Sequence, residues 1–159
     1  MRHGPAEDFP ASGRDFDRAL TAPGRERVKV VAARLAELDE APKAVLSSPL
    51  VRALQTAELV ATALGTPPIE TSSALAPGGP AKDLVLELAR AGRKRVMVVG
   101  HEPDLSGLVA WLLRGGFAHD MLKAMVVGLS VSASAPATLR FVLDPKTLEV
   151  LRTPGADDR

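Results

Sequence analysis

Three loops of this chain hold side chains suited to binding and transferring a phosphoryl group. They contain Arg2 with His3, Arg52, and His101. The planar guanidinium of arginine presents donors that match the oxygens of a phosphate. A neutral histidine can attack phosphorus, and a second histidine kept protonated by the bound dianion can donate to its oxygens. These residues predict an oxyanion site that needs no metal ion, because side chains supply the positive charge.

Each of these residues also has an ordinary structural interpretation when taken singly. A histidine near a terminus is usually solvated, Arg52 suits an exposed helix surface, and His101 suits the end of a strand. For any one residue the ordinary interpretation is favoured. The three loops together, in this order along the chain, are hard to produce by chance.

The apolar pattern predicts four helices and four strands that position these loops. The helices follow from regular apolar spacing over residues 21–38, 50–64, 80–91 and 105–112. The strands follow from short buried runs at residues 43–48, 95–100, 126–132 and 139–143. Thr21 is the expected N-cap of the first helix, and Gly65 with Pro67 and Pro68 is expected to end the second.

Two of the predicted strands lead almost directly into helices, as parallel strands of an α/β sheet do. We therefore expect a three-layer α/β/α sandwich with a mostly parallel central sheet. Ligands of such folds bind at the carboxyl ends of the strands, where the loops with Arg52 and His101 lie. The segment between the second helix and the strand at 95–100 is too short for a large cap insertion.

The amino-acid composition favours a globular domain and disfavours several other classes of protein. With 46% hydrophobic and 25% charged residues, the chain is typical of a globular domain, which we expect over residues 1–152, with a flexible tail at 153–159. The net charge of +1 and 3% aromatic content disfavour nucleic-acid and membrane binding. The absence of cysteine excludes disulfides and thiolate chemistry. Without a signal peptide or spanning segment, a cytoplasmic location is expected.

The same loops carry the motifs by which the chain resembles the histidine phosphatase superfamily, branch 1, whose fold is phosphoglycerate mutase-like. The matching residues are the Arg2-His3-Gly4 opening, Ser48-Pro49-x-x-Arg52-Ala53-x-x-Thr56-Ala57, and Gly100-His101. Within the superfamily the chain is most similar to the SixA group of phosphohistidine phosphatases. That likeness rests on Arg18-Ala19-Leu20-Thr21 with Gly24, Leu75-Ala76-Pro77 with Gly79, and the run from Gly100 to Ser106.

The resemblance implies a role for each matching residue. His3 would be the nucleophile that becomes a phosphohistidine, and Arg2, Arg52 and His101 would complete the phosphate pocket. Arg18 matches a recurrent arginine that could either lie at the edge of the pocket or form a structural ion pair. No metal ion or cofactor is expected.

The amino terminus departs from the superfamily pattern. There the Arg-His-Gly motif follows a central strand, whereas only Met1 precedes it here. We expect either that an upstream segment is omitted from this numbering or that the start is misassigned. If the strand is truly absent, His3 would lie on a mobile terminus and catalysis would lose positioning.

The second departure concerns the general acid that many members use to protonate an alkoxide leaving group. Residues 73–79, the matching stretch, contain no carboxylate. An imidazole titrates near ~6.5 and can take its proton from water, so the lack of an acid fits a phosphohistidine substrate. Glu102 is a candidate replacement donor, as is Asp8, although either could be an ordinary loop carboxylate.

These observations favour a phosphatase that works through a phosphohistidine intermediate and dephosphorylates phosphohistidine on a protein. Its partner would then be a phosphorylated protein of the histidine phosphotransfer type. One alternative is a small-molecule phosphomonoesterase of the same superfamily, acting on a small phosphate ester. Another is a non-catalytic homologue that only binds phosphate. Mutase activity is the weakest option.

Overall fold

The fold is described from a computed structural model that covers residues 1–66 and 69–152. Pro67, Pro68 and the predicted flexible tail at 153–159 lie outside the described residues. The helices are α1 (Ala22–Glu37), α2 (Val51–Leu64), α3 (Ala81–Arg90) and α4 (Asp104–Leu112). The strands are β1 (Ala44–Ser47), β2 (Glu70–Thr71), β3 (Val96–Val99), β4 (Val126–Ser130), β5 (Thr138–Leu143) and β6 (Val150–Arg152). Short 3-10 turns cover Asp15–Asp17 and Ser73–Leu75.

The described strands form two sheets of three strands each. β2, β1 and β3 are parallel and lie in that order, whereas β4, β5 and β6 form an antiparallel meander. The prediction of a mostly parallel central sheet is therefore not confirmed. A parallel connection needs a crossover of about a dozen residues or more, and the loops 131–137 and 144–149 are too short to provide one.

Residues 1–3 join the two sheets. The backbone N–H of His3 donates to the carbonyl of Gly100 at 3.1 Å, and the N–H of Arg2 donates to Met125 at 3.1 Å. The N–H of Ala124 in turn donates to the carbonyl of His3 at 3.0 Å. His3 is therefore held by backbone hydrogen bonds on both sides. The alternative that places it on a mobile terminus is wrong.

The apolar side chains form one core on each side of the sheet layer. Along the strands, consecutive residues alternate between the two cores, as Val45 and Leu46 of β1 do. Helices α1 and α2 cover one face, and α3 and α4 cover the other. The result is an α/β/α sandwich in three layers, as the sequence predicts.

The helix boundaries follow from local chemistry. The Oγ1 of Thr21 accepts a hydrogen bond from the N–H of Gly24 at 3.1 Å, which confirms the predicted N-cap of α1. Gly65 ends α2 with a φ of 60°, a left-handed conformation that favours glycine. Strands β2 and β6 were not predicted, because two or three mostly exposed residues show no periodic apolar signal.

Candidate active site

The three predicted loops meet at one edge of the sheet layer. His3 is the last residue of the segment 1–3 that joins the two sheets. Arg52 lies in the first turn of α2, after β1, and His101 follows the end of β3. The ring centroids of His3 and His101 are 5.1 Å apart. His3, Arg52 and His101 are each buried, and Arg2 is half-buried beside them. The structure therefore brings together four of the predicted site residues.

The tautomer of His3 follows from a single hydrogen bond. Its Nδ1 lies 2.7 Å from the carbonyl oxygen of Gly4. Because a carbonyl oxygen only accepts, Nδ1 must carry the hydrogen and donate it. In the neutral ring this leaves the lone pair on Nε2, so Nε2 is the nitrogen able to attack an electrophile.

Gly4, which supplies this carbonyl, is itself held in place. Its N–H donates to the Oγ1 of Thr56 at 3.0 Å, and that hydroxyl donates to the carbonyl of Arg52 at 2.7 Å. A Cβ on Gly4 would lie 2.7 Å from a methyl carbon of Val28, so the close packing of α1 against this loop favours glycine here. Thr56 thus connects the His3 loop to the first turn of α2.

The environment of His3 keeps its ring neutral. Burial lowers the pKa of His3 to about 3, and the positive charges of Arg52 and Arg2 act in the same direction, as does His101. The hydrogen bond to the Gly4 carbonyl partly opposes this shift. At neutral pH the ring is therefore uncharged, as a nucleophile requires.

The ring of His101 is also neutral at neutral pH. Burial, followed by the charge of Arg52, lowers its pKa to about 4, while Asp15 and Asp104 partly oppose the shift. Its Nε2 lies 2.8 Å from the Oγ of Ser48. A bound dianion would favour the protonated ring, which is the state expected during phosphoryl binding.

Both arginines of the cluster keep a buried donor for a ligand. One terminal nitrogen of Arg2 donates to the carbonyl of Met121 at 2.6 Å, and Arg52 donates to the carbonyl and the carboxylate of Asp15. In the described part of the chain, the buried side-chain atoms without a hydrogen-bond partner include Nε of Arg2, Nε of Arg52 and Nδ1 of His101. Buried polar atoms are normally paired, so the two unpaired guanidinium donors indicate a candidate site for an anionic ligand.

Arg18 is connected to this cluster through Asp15. Its Nε donates to the carbonyl of Glu7 at 2.5 Å, and its NH1 donates to Oδ1 of Asp15 at 3.0 Å. A third contact joins it to Asp8 at 3.8 Å. These contacts include the ion pair expected as one of the two roles of Arg18, and they connect it to Arg52 through Asp15.

Glu102 lies near Arg2. One carboxylate oxygen accepts from the N–H of Ser106 at 3.2 Å, and the other is buried without a hydrogen-bond partner. Burial lowers the pKa of the Arg2 guanidinium, and the nearby Glu102 carboxylate partly opposes that shift. Glu102 is therefore the candidate proton donor that lies beside a site arginine.

Sequence comparison places the chain in a family. A model of the histidine phosphatase superfamily (branch 1) matches residues 1–76. An uncharacterised protein from Picosynechococcus sp. is 37% identical over 139 residues, which cover 84% of this chain and 84% of that protein. In structure, the protein histidine phosphatase SixA in complex with tungstate is 29% identical, with a TM-score of 0.86 over 94% of this chain and 97% of that one. The chain belongs to the histidine phosphatase superfamily.

Further solved structures share the fold of this histidine phosphatase. A candidate SixA from Agrobacterium tumefaciens is 23% identical, with a TM-score of 0.76 over 91% of this chain and 95% of that one. A mycobacterial glucosyl-3-phosphoglycerate phosphatase bound to VO3 is 20% identical, with a TM-score of 0.68 over 87% and 94% of the two chains. At these identities the likeness concerns the fold alone. The family model and the SixA–tungstate structure, by contrast, support the description of this chain as a SixA-like phosphatase.

Asp15 is a residue of the site region that sequence reasoning missed. It lies in the first 3-10 turn and accepts hydrogen bonds from both Arg18 and Arg52. Its spacing of three residues before Arg18 was the available signal, since such a pair meets on one turn. Nothing local indicated the contact with Arg52, which is 37 residues away.

The described residues show neither a metal-binding cluster nor a membrane-spanning helix. Within residues 1–66 and 69–152, no group of three or more His, Asp and Glu side chains is placed to hold a metal ion. None of the helices in the same ranges has the length and apolar character needed to cross a membrane.

Proposed function

We propose that this histidine phosphatase removes a phosphoryl group from phosphohistidine on another protein, through a phosphoenzyme intermediate on His3. The observation that carries the proposal is the hydrogen bond from Nδ1 of His3 to Gly4, which leaves the Nε2 lone pair beside a buried group of cationic donors. A neutral nucleophile next to fixed positive charge is the arrangement that phosphoryl transfer needs.

In the first step, Nε2 of His3 attacks phosphorus and a new P–N bond forms. The P–N bond to the substrate imidazole breaks, and its electron pair stays on the leaving nitrogen, which takes a proton from water. Arg2, Arg52 and His101 donate to the phosphoryl oxygens as charge shifts in the transition state. In the second step, water attacks phosphorus in line, phosphate departs, and the electron pair returns to Nε2.

The nature of the leaving group is inferred from the acids around the pocket. Hydrogen bonds from Arg18 lower the pKa of Asp15, with a further contribution from Arg52, so this carboxylate is ionised at neutral pH and cannot donate a proton. Residues 73–79 hold no carboxylate. An imidazole needs no strong acid to leave, whereas an alkoxide does. This favours a P–N substrate over an alkyl phosphate.

A protein partner is supported by the shortness of the chain between α2 and β3. In the described part of that segment, α3 is the only α-helix, and it packs against α4 and the sheet. Nothing there resembles a cap that would enclose a small metabolite. The similar SixA structure carries the name protein histidine phosphatase. We place the reaction in the cytoplasm, in keeping with a chain that has no cysteine.

One observation favours a second candidate, a small-molecule phosphomonoesterase. The unpartnered carboxylate oxygen of Glu102 is buried near Arg2. A carboxyl group is the type of side chain that supplies the proton an alkoxide leaving group requires.

A comparison of rates at neutral pH tests the two candidates. One substrate is a phosphotransfer protein loaded with phosphohistidine, and the others are a panel of alkyl phosphates. Fast loss of the P–N phosphate with slow ester hydrolysis is expected. Fast ester hydrolysis that falls in Glu102→Gln would instead establish the second candidate. Phosphate binding without any phosphoenzyme would overturn both and leave a phosphate-binding homologue.

A further inference from the structure

The carboxylate of Asp15 lies between two arginines at the edge of the phosphate pocket. Its Oδ2 is 3.0 Å from NH2 of Arg52, and its Oδ1 is 3.0 Å from NH1 of Arg18. The backbone carbonyl of Asp15 also accepts from NH1 of Arg52 at 2.8 Å. The side chain of Arg52 is only 6% exposed, whereas that of Asp15 is 61% exposed. Asp15 therefore connects a buried phosphate-pocket residue to the solvent side.

This carboxylate is a fixed negative charge. Hydrogen bonding to Arg18 is the largest cause of the lowered pKa of Asp15, and the hydrogen bond and charge of Arg52 add to it. The same charge raises the pKa of His101 against the effect of burial, so it acts within the pocket as well as on the surface. The guanidinium of Arg18 is shared by two carboxylates, Asp15 at 3.0 Å and Asp8 at 3.8 Å, so the edge beyond Arg52 is negative overall.

Space for a leaving group lies next to Asp15. Asp15 and Arg18 line a groove of about 200 Å³ together with Asp8, Phe9 and Pro10. Phe9 is exposed and offers an apolar ring surface in this groove. Asp15 also contacts Arg52, so it is the residue that links this groove to the phosphate pocket.

The charge at this edge discriminates between kinds of leaving group. A leaving group that carries a carboxylate or a second phosphate brings negative charge towards Asp15 and is repelled. A protonated imidazole carries positive charge and an N–H that the carboxylate can accept. The discrimination does not require a proton to move to or from Asp15.

We propose that Asp15 is a specificity-determining residue, whose carboxylate at the edge of the phosphate pocket favours imidazole leaving groups and disfavours anionic ones. This rests on the proposed function, because it concerns the substrate of the same site. The lack of a general acid slows the hydrolysis of all alkyl esters, whereas the Asp15 carboxylate disfavours the anionic ones in particular.

The test compares Asp15→Asn with the wild type on two substrates, a phosphohistidine peptide and 3-phosphoglycerate. Asparagine keeps the size of the side chain and an oxygen for Arg52 but removes the charge. The ratio of kcat/KM for the peptide to that for 3-phosphoglycerate is expected to fall at least about tenfold. The affinity of 3-phosphoglycerate as a competitive inhibitor is expected to rise more than that of inorganic phosphate, which provides a readout that needs no turnover.

Two further variants make the test specific. Asp17→Asn makes the same charge change on the same turn, but Asp17 bonds to Arg14, so the ratio should stay at the wild-type value. Asp15→Glu keeps the charge and should retain most of the discrimination. Thermal unfolding of each variant confirms that the chain is folded.

The outcomes separate this inference from the proposed function. If the wild type forms no phosphoenzyme or shows no preference for the peptide, the proposed function fails. If the wild type shows the preference and Asp15→Asn keeps it, only the specificity role fails. An equal loss on both substrates also overturns the inference, since Asp15 would then merely position Arg52.

Discussion

The Nδ1 nitrogen of His3 and the carbonyl oxygen of Gly4 lie 2.7 Å apart, so the proposed nucleophile of this histidine phosphatase takes its tautomer from its own neighbour in the chain. The loop that makes this contact is anchored through Thr56, whose hydroxyl accepts from the Gly4 N–H. The position of Nε2 therefore depends on one buried hydroxyl as well as on the sheet contacts of residues 1–3.

Replacement of His3 by alanine should abolish turnover while the fold persists. The variant loses the group that we propose attacks phosphorus, and a loss of about 10³-fold or more in kcat is expected. The measurement is the rate of phosphohistidine hydrolysis, together with labelling of the phosphoenzyme. His119→Ala changes an exposed histidine outside the site and should keep the wild-type rate. Wild-type turnover in His3→Ala would disprove the role of His3.

Acid should destabilise the folded protein through the two site histidines. The pKa of His3 is lowered to about 3 and that of His101 to about 4 in the folded state, below the ordinary value of 6.5. The unfolded chain therefore binds more protons between these values, so the contribution of each ring to stability is full above about pH 6.5 and is lost as the pH falls.

Urea unfolding at pH 7 and pH 5 measures this loss. Each histidine is expected to remove about 1–2 kcal/mol from the free energy of unfolding over that interval. His101→Asn should lose one such contribution and show a shallower dependence on pH. An identical dependence in wild type and variant would mean that His101 is not held neutral by burial.

Thr56→Val should destabilise the protein and disturb the His3 loop. Valine has nearly the same shape but leaves the buried N–H of Gly4 without its acceptor, which costs about 1–3 kcal/mol. Thr56→Ser keeps the hydroxyl and should cost less. Chemical denaturation measures the difference, and Thr62→Val, at an exposed position of α2, is the matched control. Equal stability of Thr56→Val and wild type would show that this hydrogen bond is unimportant.

Gly24→Ala should be strongly destabilising, whereas Gly107→Ala should not. A Cβ on Gly24 would lie 2.0 Å from the carbonyl oxygen of Pro5, so α1 and the segment after His3 would have to separate. A Cβ on Gly107 meets nothing within 4 Å, and alanine there should add about 0.5–1 kcal/mol through helix propensity. Thermal unfolding of the pair tests the contrast. A stable Gly24→Ala would show that this contact can relax.

Local sequence was sufficient for the features that depend on neighbouring residues. The N-cap at Thr21, the end of α2 at Gly65 and the strands before Arg52 and His101 were predicted because caps, glycine conformations and apolar periodicity act over a few residues. The residues of the candidate phosphate pocket could also be predicted from the sequence, since the chemistry of arginine and histidine is intrinsic to the side chains.

Tertiary structure decided what depends on distant residues. The tautomer of His3 depends on the Gly4 loop, which Thr56 holds from 52 residues away, and the charge beside Arg52 comes from Asp15, 37 residues away. The direction of β4–β6 and the place of residues 1–3 between Gly100 and Ala124 likewise follow from long-range pairing. Such contacts leave no periodic or capping signal in the sequence, because they depend on which surfaces meet after the chain has folded.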